Sequence, residues 1–397
     1  MFYRPEDFDL GPNRLDANRL RGVGFAGFRL HYALNSPTVM DEVLVFLGAT
    51  QFRALGRGQG YGMSARGLAV NTGEAAGEEF PRFVEFWIER PAPTAKQFVV
   101  YALLDSPRVA GAYRFTVRPG DETRIDVKAR LYPRDAIVKV GLAPLTSMYL
   151  VGENQRPAQA DYRPEVHDSD GSSVDLGGGR WIWRPLVNPR RLLVTSFPTA
   201  TLGGFGLQQR DRRSASYEDL ATRRERRPGV WIEPLGAWGA GRVELVQIPT
   251  PNENNDNIVA YWVPDRPPPA GQSFDFQYRM RWQKDSEQRP PLLWAMQTRR
   301  GPDPQSRRDD DILLAVDFVG APPPVPGAAG VDLSADTHLD NATVLFSRLE
   351  RHEAIDGWRL SLILRRTDSD KPAEIRAHLA RGGTQVSEIW SYILPPE

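Results

Sequence analysis

Alternation between apolar and polar residues is the sequence feature that most constrains this fold. The segment FDFQYRMRW (274–282) places aromatic or apolar residues at every second position. The same pattern recurs in other segments: YRFTV (113–117), TRIDVKARL (123–131), WRLSLILRR (358–366) and EIRAHLA (374–380). Because successive side chains of a strand point to opposite faces of a sheet, a period of two predicts half-buried β-strands. The chain is therefore predicted to be all-β, with one short helix expected at 214–226.

A proline-rich segment divides this pattern into two parts. The sequence VPDRPPPAGQ (263–272) contains three consecutive prolines, which cannot donate ladder hydrogen bonds and which stiffen an extended chain. We expect a large β domain at 1–262, a linker at 263–271 and a smaller domain at 272–397. The length of the last part suits an immunoglobulin-like sandwich.

Charge and composition exclude several classes of protein. Lys+Arg and Asp+Glu both number 50, so the chain lacks the cationic excess that nucleic-acid binding needs. No apolar run approaches the roughly 18 residues of a membrane span, and the N-terminus has no apolar signal core. There is no cysteine, which excludes disulfides, thiolate nucleophiles and cysteine-type zinc sites.

The segment HDSDG (167–171) crowds a histidine and two aspartates against a glycine. Such a cluster is typical of a turn, a metal loop or a catalytic carboxylate. Counted from Asp168, an EF-hand would need glycine at position 6 and glutamate at position 12, yet position 12 is Gly179. No second histidine lies nearby to complete a zinc site. We therefore expect neither a metal nor another cofactor. The glycine-rich segment 56–67 lacks the ending of a phosphate loop and favours a turn.

Carboxylates and aromatic residues are concentrated between residues 149 and 262. The carboxylates are Glu153, Asp168, Asp170, Glu253 and Asp256; the aromatics include Tyr149, Trp181, Trp183 and Trp262, with Arg184 and Arg210 beside them. Paired carboxylates and flat aromatic faces are what glycoside hydrolysis requires. The same residues are also typical of a β core with Asx turns. The pattern alone favours this simpler, structural interpretation.

Several longer motifs resemble one family of proteins. They are GFAGFRLHYALN (24–35), GYGMSARGLAV (60–70), EEFPRFVEFWIERP (78–91), LTSMYLVGEN (145–154), HDSDG (167–171), RWIWRPL (180–186), GFGLQQR (204–210), NDNIVAYWVP (255–264) and QTRR (297–300). In this order they resemble the osmoregulated periplasmic glucan biosynthesis proteins of the G and D types. The resemblance runs along the whole chain.

This resemblance implies a fold, a location and an activity. The implied fold is a large galactose-mutarotase-like β-sandwich with a groove, followed by a smaller immunoglobulin-like β-sandwich. The implied activity is inverting endo-cleavage, or transfer, of β-1,2-glucan chains in the periplasm. The alternative is a non-catalytic glucan-binding scaffold that assists a membrane glucosyltransferase. A homodimer is among the expected assemblies. By this resemblance, the sequence is expected to begin inside the family's first domain, without its signal peptide and early strands.

The resemblance also implies roles for individual residues. Asp256, in the NDNIVAYW motif, corresponds to the general acid, and Asp168 corresponds to the carboxylate on the base side. Asp170, Glu253 and His167 are the expected supporting residues. The expected substrate-binding residues are Tyr149, Trp181, Trp183, Arg184, Arg210 and Trp262. Arg224 departs from the family, because a tyrosine is expected there in the loop that covers the groove.

Overall fold

The computed structural model describes residues 24–92, 94–156, 161–284, 286–306, 308, 311–328 and 330–396. Its strands in chain order are β1 Arg29–Ser36, β2 Val39–Gly48, β3 Gln51–Ala54, β4 Ser64–Arg66, β5 Leu68–Val70, β6 Arg82–Ile88, β7 Phe98–Asp105, β8 Val109–Arg118, β9 Thr123–Pro133, β10 Val140–Ser147, β11 Tyr149–Val151, β12 Val166–His167, β13 Gly171–Asp175, β14 Trp181–Pro185, β15 Leu193–Thr199, β16 Gly204–Gln208, β17 Gly229–Pro234, β18 Gly241–Gln247, β19 Ile258–Pro264, β20 Phe274–Gln283, β21 Trp294–Pro302, β22 Asp311–Val319, β23 Leu333–Asp340, β24 Ala342–His352, β25 Gly357–Arg366, β26 Ala373–Arg381, β27 Thr384–Gln385 and β28 Ile389–Leu394.

Helical structure in the described residues is limited to short turns. The α-helix α1 spans Ser214–Tyr217, and 3₁₀ turns lie at Arg224–Arg226 and Glu353–Ile355. The predicted helix at 214–226 is thus two separate turns, and the all-β prediction is confirmed. No helix in the described part of the chain has the length and apolar character needed to cross a membrane.

The alternating segments form the strands that their period predicts. In β20 the side chains of Phe276, Tyr278, Met280 and Trp282 are all buried. The YRFTV and TRIDVKARL segments lie in β8 and β9, which pair antiparallel from Val109 opposite Pro133 to Arg118 opposite Arg124. Alternation is therefore explained by burial of one face of each strand.

Two large sheets enclose the main core. One has nine strands in the order β1-β2-β3-β4-β10-β19-β18-β15, with β5 paired to β10. The other has thirteen, in the order β23-β26-β28-β14-β13-β16-β17-β20-β9-β8-β7-β6, with β27 paired to β26. Side chains from both sheets meet in one cluster; for example, the rings of Phe52 and Phe115 are 5.4 Å apart. This is the packing of a β-sandwich.

A second core lies in the C-terminal part of the chain. It comprises buried residues between Leu293 and Leu394, together with Trp183 and Val187. Four strands, β21-β22-β25-β24, form a separate sheet there. Strand β28 pairs in parallel with β14, so the thirteen-stranded sheet continues from the first unit into the second.

The strand after the proline-rich segment belongs to the larger unit. Strand β20 pairs with β17 and with β9, and its apolar face packs into the main core. We therefore propose that the boundary between the units lies between Gln283 and Leu293, rather than in the expected linker at 263–271. The prolines instead lie in the connection between β19 and β20 of the large unit, where Pro268 is buried and Pro267 and Pro269 are exposed.

Candidate active site

The HDSDG segment connects β12 to β13. Strand β12 pairs antiparallel with β11, with Tyr149 opposite His167. The backbone N–H of Asp168 then donates to the carbonyl of Met148 at 2.8 Å. Asp168 is only 6% exposed. Its position is therefore set by the backbone on either side and not by a flexible turn.

Gly171 is required by a close approach to the neighbouring strand. A Cβ at this position would lie 2.1 Å from the ring of Trp183. No real Cβ contact is that short, so only glycine lets β13 pass the indole. The glycine that ends the HDSDG motif is thus explained by packing.

Replacing Gly171 with alanine is expected to destabilise the fold. Relieving the clash requires movement of either the buried Trp183 or the backbone of β13, at a cost of about 1–3 kcal/mol in the free energy of unfolding. Thermal or urea unfolding measures this change. Gly301→Ala is the matched control, because a Cβ there meets no atom within 4 Å. Equal stability of the two variants would contradict the packing explanation.

Asp256 lies between β18 and β19, on a loop that is fastened near Asp168. Asn257 accepts a hydrogen bond from the N–H of Tyr149 at 2.8 Å and donates to the Tyr149 carbonyl at 3.0 Å. The backbone N–H of Asp168 is hydrogen-bonded to Met148, the residue that precedes Tyr149. The segments that carry the two aspartates are therefore attached to adjacent residues of the chain.

The Asp256 carboxyl is partly open to solvent. Its side chain is 27% exposed, and Gln51 donates to Oδ2 at 3.4 Å. Arg53 Nη2 lies 3.9 Å from the same oxygen. Both residues come from β3, and both donate to the Ser64 hydroxyl, at 2.9 and 2.7 Å. Asp256 thus makes only long polar contacts with β3 and keeps part of its carboxyl open to solvent.

The glycine-rich segment 56–67 packs against the turn at Arg224–Arg226. The N–H of Gly60 donates to the carbonyl of Arg226 at 3.1 Å. A Cβ on Gly62 would lie 2.8 Å from the side chain of Arg227. These contacts agree with its interpretation as a turn that lets backbone approach a neighbour.

Two arginines neutralise Asp168. Its Oδ1 accepts from Arg224 Nη1 at 2.7 Å and also pairs with Arg227. Burial, with repulsion from Arg53, lowers the pKa of Arg227 to about 10, so this guanidinium is still charged at neutral pH. Arg227 also feels the charge of Asp256. It is therefore the cation common to both predicted catalytic carboxylates.

Glu253 connects the Asp256 loop to the same arginine cluster. It pairs with Arg224, and Arg163 Nη1 donates to both of its oxygens at 3.0 Å. Asp219 lies 3.4 Å from Arg163 and 3.8 Å from Arg224. Glu253 is thus a counter-ion that holds Arg224 in place.

His167 and Asp170 are buried beside the site. The His167 ring stacks on Tyr149 at 5.3 Å, and its nitrogens contact Gln209 at 3.0 Å and Glu165 at 2.7 Å. Burial lowers the pKa of His167, which favours the neutral imidazole. Burial also raises the pKa of Asp170 to about 7, although the backbone N–H of Asp211 donates to it.

The residues expected to bind substrate lie in the interior. Tyr149, Trp181, Trp183, Arg184, Arg210 and Trp262 are all buried. Trp181 stacks on Trp231 at 5.3 Å, and Arg184 pairs with Glu374 at 2.9 Å. The Arg210 guanidinium lies 3.6 Å from the Trp183 ring centroid. All six side chains are thus buried among protein atoms, and their role in binding substrate stays a prediction.

The sequence analysis missed the residues that surround the two aspartates. Gln51, Arg53, Arg163 and Arg227 carry no motif of their own, and arginines in a chain of balanced charge are usually read as surface residues. The run ATRRERRPGVW (221–231) contains four arginines, of which Arg224 is buried and Arg227 half-buried, whereas Arg223 and Arg226 are exposed.

A separate group of carboxylates could hold a metal ion. Glu153, Glu165 and Asp211 offer oxygen atoms that all lie within 4.8 Å of one another. Burial raises the pKa of Glu153 to about 7 and that of Glu165 to about 8.

Comparison with known proteins places this chain in a family. The family model described as "Periplasmic glucan biosynthesis protein, MdoG" matches residues 1–394. The chain is 53% identical to Glucans biosynthesis protein G of Ralstonia nicotianae, over 99% of this chain and 79% of that protein. It is 47% identical to the proteins of the same name from Pectobacterium atrosepticum and Pseudomonas aeruginosa, over 99% and 100% of this chain and 77% of each relative. The chain belongs to the MdoG family of periplasmic glucan biosynthesis proteins.

Proposed function

We propose that this protein is a periplasmic enzyme of glucan biosynthesis that cleaves or transfers β-1,2-linked glucan chains. Asp256 acts as the general acid and Asp168 as the carboxylate on the base side. The observation that supports this most is the attachment of both aspartate segments to Met148 and Tyr149. The periplasmic location and the glucan substrate rest on the family.

The acid step requires a proton donor that a sugar can reach. Asp256 keeps 27% of its side chain exposed, and its contacts with Gln51 and Arg53 are long, at 3.4 and 3.9 Å. Its proton passes to the glycosidic oxygen as the bond from that oxygen to C1 breaks. An inverting enzyme needs the second carboxylate on the opposite ring face, roughly 6.5–9.5 Å away, with room for an acceptor.

The base step is constrained by the arginines. The proton of the attacking hydroxyl must move toward Asp168, yet that carboxylate already accepts from Arg224 and Arg227. Such pairing stabilises the ionised form and weakens the carboxylate as a base. Arg224 cannot relay the proton itself, because a guanidinium has no acceptor. Slow activation of water favours a sugar hydroxyl as acceptor, since binding in the groove positions it.

The second candidate is a glucan-binding scaffold without catalytic activity. The two ion pairs of Asp168 favour the scaffold, because a carboxylate with a purely structural role would also be neutralised by its neighbours. In that case the protein would hold nascent chains beside a membrane glucosyltransferase. Both candidates predict binding of β-1,2-glucan, but only the first predicts new products.

Incubation of the purified protein with linear β-1,2-glucan of one defined length separates these candidates. We expect chains both shorter and longer than the starting material, detected by mass spectrometry. A β-1,3-glucan of matched length is the control for linkage. Binding of the β-1,2-glucan with an unchanged length distribution after prolonged incubation would favour the scaffold.

A further inference from the structure

A small cavity lies where the larger and the smaller unit meet. Its volume is about 30 Å³, which is room for one ion or one water molecule. Its polar lining includes Glu153, Glu165, Asp170 and Asp211 from the larger unit, and 296–298 of β21 come from the smaller one. The lining thus brings four carboxylates together around a space of this size.

The nearest cations are already engaged by other carboxylates. Arg210 pairs with Glu287 at 3.0 Å and with Glu388 at 2.6 Å. Arg299 pairs with Asp317 at 2.7 Å and lies 3.5 Å from Glu153. Neither arginine pairs with the whole carboxylate group.

Two oxygen atoms at the cavity have no hydrogen-bond partner among the described residues. Glu165 is 4% exposed; its Oε2 contacts His167, while its Oε1 is buried and unpartnered. Asp170 Oδ1 is likewise buried and has no hydrogen-bond partner among the described residues. A buried acceptor without a partner costs about 1–3 kcal/mol. The unpartnered Glu165 oxygen indicates that the cavity can take a ligand, independently of the spacing of the carboxylates.

We propose that this cavity binds a hard divalent cation of the calcium type through Glu153, Glu165 and Asp211. Oxygens bound to one calcium ion at about 2.3–2.6 Å lie within about 5 Å of one another, which the 4.8 Å limit for this group satisfies. Both His167 nitrogens are engaged by Glu165 and Gln209. An all-oxygen set without a free imidazole disfavours zinc.

Gln297 is the residue that must move when the cation binds. Its amide nitrogen lies 3.1 Å from Asp211 Oδ2 and 3.4 Å from Glu153 Oε1. The same amide accepts from Arg299 through its oxygen. Rotation of the side chain would present the amide oxygen to the cation, as carbonyl oxygens are common calcium ligands.

The cation would strengthen the contact between the two units. Glu153 accepts at its carbonyl from the N–H of Arg300 at 3.1 Å, and Tyr392 donates to the carbonyl of Asn154 at 2.9 Å. Both bonds join the β11 end of the large unit to the smaller one. A ligand that binds only the folded state raises its stability by mass action.

Calorimetry and thermal unfolding of the full chain test this proposal. The protein is stripped with EDTA, desalted and titrated with CaCl2, with MgCl2 as a second arm. We expect one calcium site per chain and a rise of several degrees in Tm. Glu165→Gln should weaken calcium binding at least tenfold, whereas Glu85→Gln, at an exposed position on β6, should leave it unchanged. Glu153→Gln, at a less buried position, gives the same test if Glu165→Gln folds poorly.

Two results would overturn the proposal. One is the absence of calcium and magnesium binding, with a Tm that EDTA does not change. The other is a Glu165→Gln variant that, without metal, is more stable than the parent and that binds calcium as the parent does. That result would mean that the carboxylates share protons and do not hold a cation. Neither readout involves glucan, so the outcome is independent of the proposed activity.

Discussion

Replacing Asp256 with asparagine is expected to lower the rate of glucan conversion by about 10²–10⁴-fold, the usual contribution of a positioned general acid. The amide has nearly the same shape and can still accept from Gln51 through its oxygen, but it has no acidic proton to give to the leaving group. Appearance of new chain ends with time measures the rate. Glucan affinity and Tm should stay close to those of the parent, because Asp256 is partly exposed and makes only long contacts.

Asp265→Asn is the matched control for this substitution. Asp265 follows the opposite end of β19 and is exposed, so the same loss of one carboxylate there should leave the rate unchanged. A parent-like rate in Asp256→Asn would show that the proton comes from another group. Equal losses in both variants would indicate an effect of charge alone.

Replacing Arg224 with tyrosine is expected to change the products several-fold, toward shorter linear chains. Arginine stays protonated and cannot relay a proton to Asp168, whereas a tyrosine hydroxyl both donates and accepts. Arg224 is buried, and its guanidinium contacts the Asp168 carboxylate at 2.7 Å. A side chain at this position therefore lies beside Asp168. The ratio of hydrolysis to transfer, from chromatography of the products, is the measurement.

The same substitution carries a cost in stability that must be separated from its effect on the products. Removing one partner of a buried ion pair costs up to about 3–5 kcal/mol. The cost here should be smaller, since Asp168 keeps Arg227 and Glu253 keeps Arg163. Arg226→Tyr, on the exposed side of the same 3₁₀ turn, is the control. An unchanged product ratio in a folded Arg224→Tyr protein would contradict the relay argument.

The alternation of apolar and polar residues predicted the strands well, because a strand with one buried face has an apolar residue at every second position. Strand β20 is a clear case, since its four alternating apolar side chains all enter the core. The boundary between the units stays a prediction, because it depends on long-range strand pairing. Prolines at 267–269 indicate an interruption in hydrogen bonding, but they do not indicate with which strand β20 pairs. That partner is β9, whose residues lie more than 140 positions earlier in the chain.

The candidate site shows the same limit. The two aspartates could be named from motifs, whereas the arginines around Asp168 depend on long-range packing. Arg227 faces Gly62, far away in sequence. The aromatic residues were expected to contact sugar because their faces are suitable, yet alternation also directs them inward. Trp262 and Trp183 are both buried in cores, as the simpler interpretation of that region required.

The measurement that tests the central claim most directly is the configuration of the new anomeric carbon. Proton NMR, recorded during conversion of linear β-1,2-glucan by the parent protein, identifies the first product before mutarotation. If Asp256 and Asp168 act as an inverting pair, the new reducing end, or the new linkage when a sugar is the acceptor, should be α, and Asp256→Asn should give no signal. A β product would contradict the pair, because retention requires a nucleophile in direct contact with C1.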